Sequence, residues 1–238
     1  MRTKTLFLAA AALAVGIATS VAQTVYSQNI VGYVNQILPS GYNLIGVPLN
    51  ATNSGQTVPA VQVLSCLQQG DAIITWDPVG GTYSTYTYYN AGEGQTWLGP
   101  DGNFTDVGPN LTLGTGFFYQ NSGNTPETNT YAGTVVLSNT VSLVSGYSIG
   151  ISSAPIGGSL DSTNFNLPLQ QGDAIILWDN AGGFYLTYTY YNAGVGQTWL
   201  GPDGNFTDTA PTITVGGAMF YQNSGNTPEP WQQNVIVK

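Results

Sequence analysis

The sequence predicts an all-β protein made of two tandem, internally duplicated modules of sandwich or barrel type, placed after a cleaved signal peptide. Three observations predict this fold: a long internal repeat, a composition rich in Val, Ile, Thr, Tyr and Gly, and short alternating segments separated by turn residues. Beyond the apolar N-terminus, no long amphipathic pattern indicates a helix. Chains built mainly of short strands fold as sandwiches or barrels.

The first 22 residues have the pattern of a secretory signal. Arg2 and Lys4 precede an apolar stretch over residues 6–18, and residues 20–22 fit a small-x-small cleavage site. The stretch is short for a bilayer span, although an uncleaved anchor helix is the alternative. We therefore expect a secreted chain that starts near Gln23, lies outside the cell or on its surface, and has no transmembrane segment after cleavage.

The internal repeat defines two modules. Residues 67–127 and 169–229 align without a gap, and 47 of their 61 positions are identical when counted along the sequence. Upstream the match is weaker, and the alignment shifts by three residues. We predict a first module over 23–132 and a second over 133–238, each of ordinary domain size.

Local patterns predict the elements of each module in order. The strand-rich segment 24–38 comes first, and its counterpart in the second module is 131–143. Residues 57–66 fit one or two helical turns with an early proline, whereas Pro168 ends any regular helix over 161–168. We expect the single cysteine, Cys66, to be a small buried residue, with an intermolecular disulfide or a reactive thiol as the alternatives.

A hairpin follows. Residues 72–77 alternate with period two, residues 78–81 are a turn, and residues 82–90 are the partner strand, which makes 71–90 a β-hairpin. A Pro-Asp-Gly turn at 100–102 then precedes further strands, predicted over 111–120 and 131–137.

Charge is sparse and acidic, which excludes several functions. The chain has 3 Lys and Arg, 12 Asp and Glu and no His, for a formal net charge of −9. Without His there is no Ser-His-Asp or Cys-His arrangement and no imidazole ligand for zinc. Without clustered Lys and Arg there is no surface for nucleic acid. Only 6% of residues are charged, so uncharged polar residues must cover the surface. Few charges are then left to prevent exposed strand edges from pairing with another chain.

Several short motifs carry a resemblance to a known group of proteins. Residues 25–33, 40–49, 70–77 and 113–119 follow the order G-Y/W-N-L-I, D-x-I-x-x-W and G-x-G-F-F. This order resembles secreted β-repeat proteins of planctomycete and verrucomicrobial bacteria, over most of the mature chain. The second module departs from it at 147–150 and 217–219. The resemblance implies export and β structure, and no activity comes with it.

Calcium is the first candidate ligand. Oxygen-bearing side chains recur in both modules, at Asp101, Asn103 and Asp106 and at Asp203, Asn205 and Asp208. A hard cation prefers such oxygen ligands, yet the spacing departs from that of an EF-hand. The alternative is a Pro-Asp-Gly turn stabilised by its own aspartate. We expect no cofactor, with calcium as the one cation to test.

Carbohydrate is the second candidate ligand. Trp97 and Trp199, with Tyr86 and Tyr188, could form flat platforms for sugar rings. The alternative is that these aromatic residues form the cores of small β modules. Alternation favours burial of Trp76, whereas the Gly-rich surroundings of Trp97 favour the surface.

Catalysis by two carboxylates is the one common hydrolytic mechanism that needs neither His nor Arg. Ten of the twelve carboxylates are matched between the modules, which indicates turn residues rather than one asymmetric acid–base pair. We therefore expect no enzyme activity.

The sequence as a whole favours a non-enzymatic structural or adhesive protein of the cell surface or extracellular matrix. Its partner would be a second copy of itself, recruited into a filament by strand addition of 24–38, unless that segment pairs within its own chain. The alternative function is a carbohydrate-binding module that uses surface aromatic residues on a surface polysaccharide.

Overall fold

The computed structural model describes residues 30–51, 57–90, 95–105, 107–192 and 197–234. Within these ranges the first module contains β1 (Val31–Leu38), β2 (Gly41–Gly46), β3 (Thr57–Pro59), α1 (Ala60–Val63), β4 (Ala72–Asp77), β5 (Thr82–Asn90), β6 (Gln95–Leu98), β7 (Phe104–Thr105), β8 (Asn110–Thr112), β9 (Gly116–Asn121) and β10 (Glu127–Thr134). The second contains β11 (Ser138–Leu143), β12 (Gly146–Ile151), β13 (Gly158–Ser159), β14 (Ala174–Asp179), β15 (Phe184–Asn192), β16 (Gln197–Leu200), β17 (Phe206–Thr207), β18 (Thr212–Ile213), β19 (Ala218–Asn223) and β20 (Glu229–Asn234).

The predicted all-β, duplicated architecture is confirmed. Each module has a six-stranded antiparallel sheet, with the order β2-β9-β4-β5-β6-β7 in the first and β12-β19-β14-β15-β16-β17 in the second. Each also has two two-stranded ribbons, β1-β10 and β3-β8 in the first, β11-β20 and β13-β18 in the second. The predicted hairpin is β4-β5, paired from Ala72↔Thr87 to Asp77↔Thr82.

Both faces of each six-stranded sheet are covered, because alternate residues of one strand face different cores. Ile73 of β4 belongs to the core of the first module, together with Leu38 of β1 and Tyr131 of β10. The next residue, Ile74, packs instead on a cluster shared by both modules, which contains Phe118 and Phe220. The structure is therefore layered as ribbon, sheet, sheet, ribbon.

The two modules meet about a pseudo-twofold axis. Gly46 N donates to Gly216 O at 3.1 Å, and the equivalent bond runs from Ile151 N to Gly114 O at 3.1 Å. Because these contacts recur with the modules exchanged, the junction has the self-complementary form of a twofold dimer interface.

The predicted short helix is α1, which begins directly after Pro59. Turns occupy the described residues between β13 and Pro168 in the second module. The predicted division between residues 132 and 133 falls inside β10, and the link between the modules is 135–137. Within the described residues, no helix is long and apolar enough to cross a membrane.

The N-terminal strand pairs within its own chain. β1 is antiparallel to β10, from Val31↔Thr134 to Leu38↔Glu127. This is the alternative to strand exchange that the sequence left open. The signal segment 1–22 and residues 24–29 of the predicted strand lie outside the described residues.

Candidate functional site

Two open hollows lined by aromatic residues flank the pseudo-twofold axis. Their volumes are about 480 and 670 Å³. We name these hollows together the aromatic groove, and its aromatic residues are Trp76, Tyr147 and Phe220 in the first hollow, Trp178, Tyr42 and Phe118 in the second, and Tyr83 and Tyr185 in both. Phe184 also lines the second hollow, and its counterpart in the first module is Thr82. Every other aromatic residue of one hollow is the counterpart of one in the other, so the groove consists of two related halves.

Four tyrosines present their rings to solvent along the groove. Tyr42, Tyr83, Tyr147 and Tyr185 are between 43% and 47% exposed. Tyr83 and Tyr185 lie at the centre, where partial burial and a hydrogen bond with Tyr185 raise the pKa of Tyr83. The Tyr83 hydroxyl is therefore neutral at ordinary pH.

The tryptophans of the groove are held by the opposite module. Trp76 Nε1 donates to the carbonyl of Tyr147 at 2.9 Å, and Trp178 Nε1 donates to the carbonyl of Tyr42 at 2.7 Å. The rings of Trp178 and Tyr185 lie 5.0 Å apart at 67°. Because both indole N–H groups are satisfied, the ring faces are set in place before any ligand arrives.

The groove is uncharged. Among the described residues that line the two hollows, none is Asp, Glu, Lys or Arg. The polar groups that accompany the aromatic rings are the tyrosine hydroxyls and the hydroxyls of Thr85 and Thr187. Such a lining favours a neutral ligand that offers both apolar faces and hydroxyl groups.

The surface position predicted for Trp97 and Trp199 is wrong, because both rings are fully buried. Trp97 packs against Tyr88 in the core of the first module, with ring centroids 5.1 Å apart and ring planes inclined at 58°. A Cβ on Gly108 would lie 2.4 Å from the Trp97 ring, so this glycine makes room for the indole. The glycines next to Trp97 in the sequence indicated a surface turn, whereas Trp97 lies in strand β6 and its ring faces the core.

The other predicted carbohydrate contacts, Tyr86 and Tyr188, are half-buried and pack against the module cores. Trp76, for which alternation favoured burial, lines the groove instead. Its counterpart Trp178 does the same. The aromatic surface is therefore built from residues other than the predicted ones.

The predicted calcium ligands form Asx turns. Asp101 Oδ1 accepts from Asn103 N at 3.1 Å, and Asp101 Oδ2 accepts from Asn103 Nδ2 at 2.8 Å. The same bonds, with the same lengths, join Asn205 to Asp203. These hydrogen bonds lower the pKa of both exposed carboxyls.

Two predicted calcium ligands remain, and the structure describes only one of them. Asp208 is exposed, and Asp106 lies outside the described residues. Among the described residues, no three His, Cys, Asp or Glu side chains gather as a metal site would require.

A buried polar network was missed by the sequence analysis. Asp71, Asp173, Glu127 and Glu229 are all buried. Asp71 and Asp173 do close β-turns, since their main-chain N–H groups donate to the carbonyls of Gln68 and Gln170. Glu127 and Glu229 begin strands instead, so the turn assignment was wrong for these two. Asp77 does cap a turn, since its Oδ1 accepts from Val79 N at 2.9 Å. The buried Asp and Glu residues are identical in the two modules, and this was the signal that the sequence offered. Identity between modules does not by itself distinguish a turn residue from a core residue.

No family model, curated protein or solved structure matches this chain. The resemblance to secreted planctomycete and verrucomicrobial proteins therefore stays a prediction. The chemistry of the groove is the feature of the molecule that points to a function.

Proposed function

We propose that this chain is an exported, non-enzymatic adhesive protein whose aromatic groove binds a neutral polysaccharide. The observation that supports this proposal is the row of partly exposed tyrosine rings across the junction of the modules. Pyranose rings present apolar C–H faces to aromatic rings, and their hydroxyl groups bond to tyrosine and threonine hydroxyls.

Charge narrows the class of polysaccharide. The groove carries no charged lining residue, and the chain has a formal net charge of −9. An acidic polysaccharide would be repelled by the overall field without gaining a cationic partner in the groove. Neutral glucans, mannans, xylans and chitin are therefore the expected ligands.

The shape of the groove favours a chain over a single sugar. The two hollows share Tyr83 and Tyr185, so they lie next to each other across the pseudo-twofold axis. A polymer that crosses this axis contacts both halves, whereas a monosaccharide occupies one.

The test is retention on insoluble neutral polysaccharides and affinity electrophoresis in soluble ones, with alginate as the acidic comparison. The double variant Tyr83→Ala/Tyr185→Ala removes the two rings that both hollows share. At roughly 0.5–1.5 kcal/mol for each ring contact, we expect about 5- to 150-fold weaker binding.

The matched control is Phe104→Ala/Phe206→Ala, which removes two aromatic rings that are each 63% exposed and lie outside the groove. Binding should be unchanged in this control, and urea unfolding checks that both variants are folded. Absence of wild-type binding to every neutral polysaccharide, or equal binding by both variants, would refute the proposal.

Self-association through β1 is a second candidate function. Val31, Tyr33 and Ile37 are exposed on one face of β1, where the aligned positions of Tyr33 and Ile37 in β11 are Ser138 and Ser142. β10 is the one described strand that pairs with β1, so one edge of β1 bonds to no other described strand. That edge carries no charge or proline to oppose pairing with a second copy.

Sedimentation velocity and electron microscopy of the secreted chain test this candidate. The variant Tyr33→Ser/Ile37→Ser, which takes its residues from the second module, should dissociate the assemblies and leave the fold intact. A wild-type chain that stays monomeric at about 100 μM would exclude self-association as its function, since standard interfaces are stable well below that concentration.

A further inference from the structure

Each module encloses a tyrosine hydroxyl between two buried carboxyl groups. In the first module, Tyr119 Oη lies 2.6 Å from Asp71 Oδ2 and 2.5 Å from Glu127 Oε2. Tyr119 and Asp71 are fully buried, and Glu127 is 7% exposed. Solvent therefore contributes little to the hydrogen bonding of this group.

The arrangement requires one more proton than the phenol supplies. A tyrosine hydroxyl has a single proton and can donate to one carboxylate only. If both carboxyl groups were ionised, the second contact would place two acceptor oxygens 2.5 Å apart, and two buried negative charges would lie close together. One of the two carboxyl groups must therefore be protonated.

The other hydrogen bonds decide which carboxyl group holds the proton. Asp71 accepts from Gln68 N at 2.7 Å, from Ser122 N at 2.9 Å and from Ser122 Oγ at 3.0 Å, which stabilises its ionised form. Glu127 has one buried oxygen, Oε1, without a hydrogen-bond partner. The chain of donors thus runs from the Glu127 hydroxyl to Tyr119 Oη, and from Tyr119 to Asp71.

The second module repeats the two carboxyl contacts. Its Tyr221 Oη also lies 3.1 Å from the carbonyl oxygen of Pro168, the residue that stands where the first module has Cys66. Tyr221 Oη lies 2.5 Å from Asp173 Oδ2 and 2.9 Å from Glu229 Oε2. Asp173 accepts from Gln170 N at 2.8 Å, and from Ser224 N and Ser224 Oγ at 2.9 Å each. Two copies of one geometry make a chance contact a poor explanation.

We propose that Glu127 and Glu229 are proton-binding sites of the folded protein, and that their protonation makes the fold more stable in mildly acidic than in neutral or alkaline solution. The proton balance is simple: unfolding releases each carboxyl group to water, where it loses its proton above the ordinary range of a glutamic acid.

The electrostatic surroundings of Glu127 and Glu229 also favour their protonated forms in the folded protein. Burial raises the pKa of Glu127 above its usual range, the hydrogen bond between Glu127 and Tyr119 lowers it, and the charge of Asp71 raises it. For Glu229, burial and Asp173 raise the pKa, whereas bonds to Tyr221 and Gln170 lower it.

The remaining titratable group at the first site is Cys66, whose Sγ donates to Tyr119 Oη at 3.6 Å. Burial raises the pKa of this thiol to about 11, so it stays neutral over the pH range concerned. A raised pKa in the folded state gives stability that is complete below the unfolded pKa and is lost as pH rises through the folded pKa.

The composition makes the pH dependence that comes from Glu127 and Glu229 easy to isolate. The chain has no His, so no imidazole titrates between pH 5 and 8. It has three Glu residues in all, at 93, 127 and 229. Selective ¹³C labelling of Glu carboxyls therefore gives three signals, of which those of Glu127 and Glu229 should titrate above the ordinary value.

The experiment combines that NMR titration with thermal unfolding from pH 4.5 to 8.5. We expect the wild-type melting temperature to fall as pH rises, and the slope to disappear in Glu127→Gln/Glu229→Gln, since the neutral amide can still donate to the tyrosine. The control Asp101→Asn/Asp203→Asn, at exposed turns, should keep the wild-type slope.

The NMR titration decides the matter even if the glutamine variant does not fold. Three Glu carboxyls that all titrate near the ordinary value of about 4.3 would overturn the proposal. An unchanged slope in a folded glutamine variant would do the same.

Discussion

Gly116 in β9 lies where the two modules meet, and we predict that a single methyl group at this position weakens the fold. A Cβ on Gly116 would lie 2.3 Å from Ile149 Cγ2 and 2.6 Å from the Cβ of Ala218, about 1 Å short of ordinary contact. Ala218 is the counterpart of Gly116 in the second module. One methyl group therefore fills a space beside the pseudo-twofold axis that has no room for two.

The magnitude follows from two opposing effects. Overpacking a well-packed core costs about 1–3 kcal/mol. Replacing Gly by Ala also stabilises the folded state by about 0.4–1 kcal/mol, because it lowers the conformational entropy of the unfolded chain. Gly116→Ala should therefore destabilise the protein by about 1–2 kcal/mol. Ala218→Gly should cost a similar amount, from the loss of one buried methyl group at about 0.8 kcal/mol and added backbone freedom at about 0.5–1 kcal/mol.

The double variant Gly116→Ala/Ala218→Gly moves the methyl group to the other module. It should be at least about 1 kcal/mol more stable than the sum of the single effects predicts, because neighbouring residues couple. Adding Ile149→Leu removes the second obstructing methyl group and copies the residue at the equivalent position, Leu44. This triple variant should recover more of the lost stability.

Urea unfolding at constant pH, followed by tryptophan fluorescence, measures the cycle. Single effects that add to within about 0.5 kcal/mol in the double variant would refute the packing argument. A Gly116→Ala variant as stable as the wild type would also refute it.

Three further predictions concern the corrected sites. Trp97→Ala should destabilise the protein by about 3–5 kcal/mol, because it empties a fully buried site, and urea unfolding measures this loss. Millimolar calcium should leave the melting temperature unchanged, since Asp101 and Asp203 already bond within their own turns; a rise of several degrees would contradict this. Incubation with neutral polysaccharides should release no reducing ends, because no carboxyl group lines the described groove; steady release would contradict a purely binding role.

Strand positions were predictable because their signals are local. The alternation in Ala72–Asp77 and the turn after it predicted the β4-β5 hairpin, and the structure contains it. The repeat predicted two similar modules, since nearly identical segments experience the same local forces and adopt the same order of strands.

The aromatic site was not predictable in the same way. Period two shows that Ile74 and Trp76 share a face, but it does not show which face meets solvent. Both faces of each sheet are covered here, so hydrophobic character alone could not separate Trp97 in a module core from Trp76 at the edge of the junction.

The sequence by itself determined the β class, the duplication, the scarcity of charge and the absence of imidazole chemistry, because these depend on composition and on neighbouring residues. Only the tertiary structure decided the aromatic groove and the buried carboxyl pairs. Tyr119 meets Asp71 across 48 positions of the chain, and Trp178 meets the carbonyl of Tyr42 across 136. Such contacts depend on sheet order and on how two sheets pack, which no local pattern specifies.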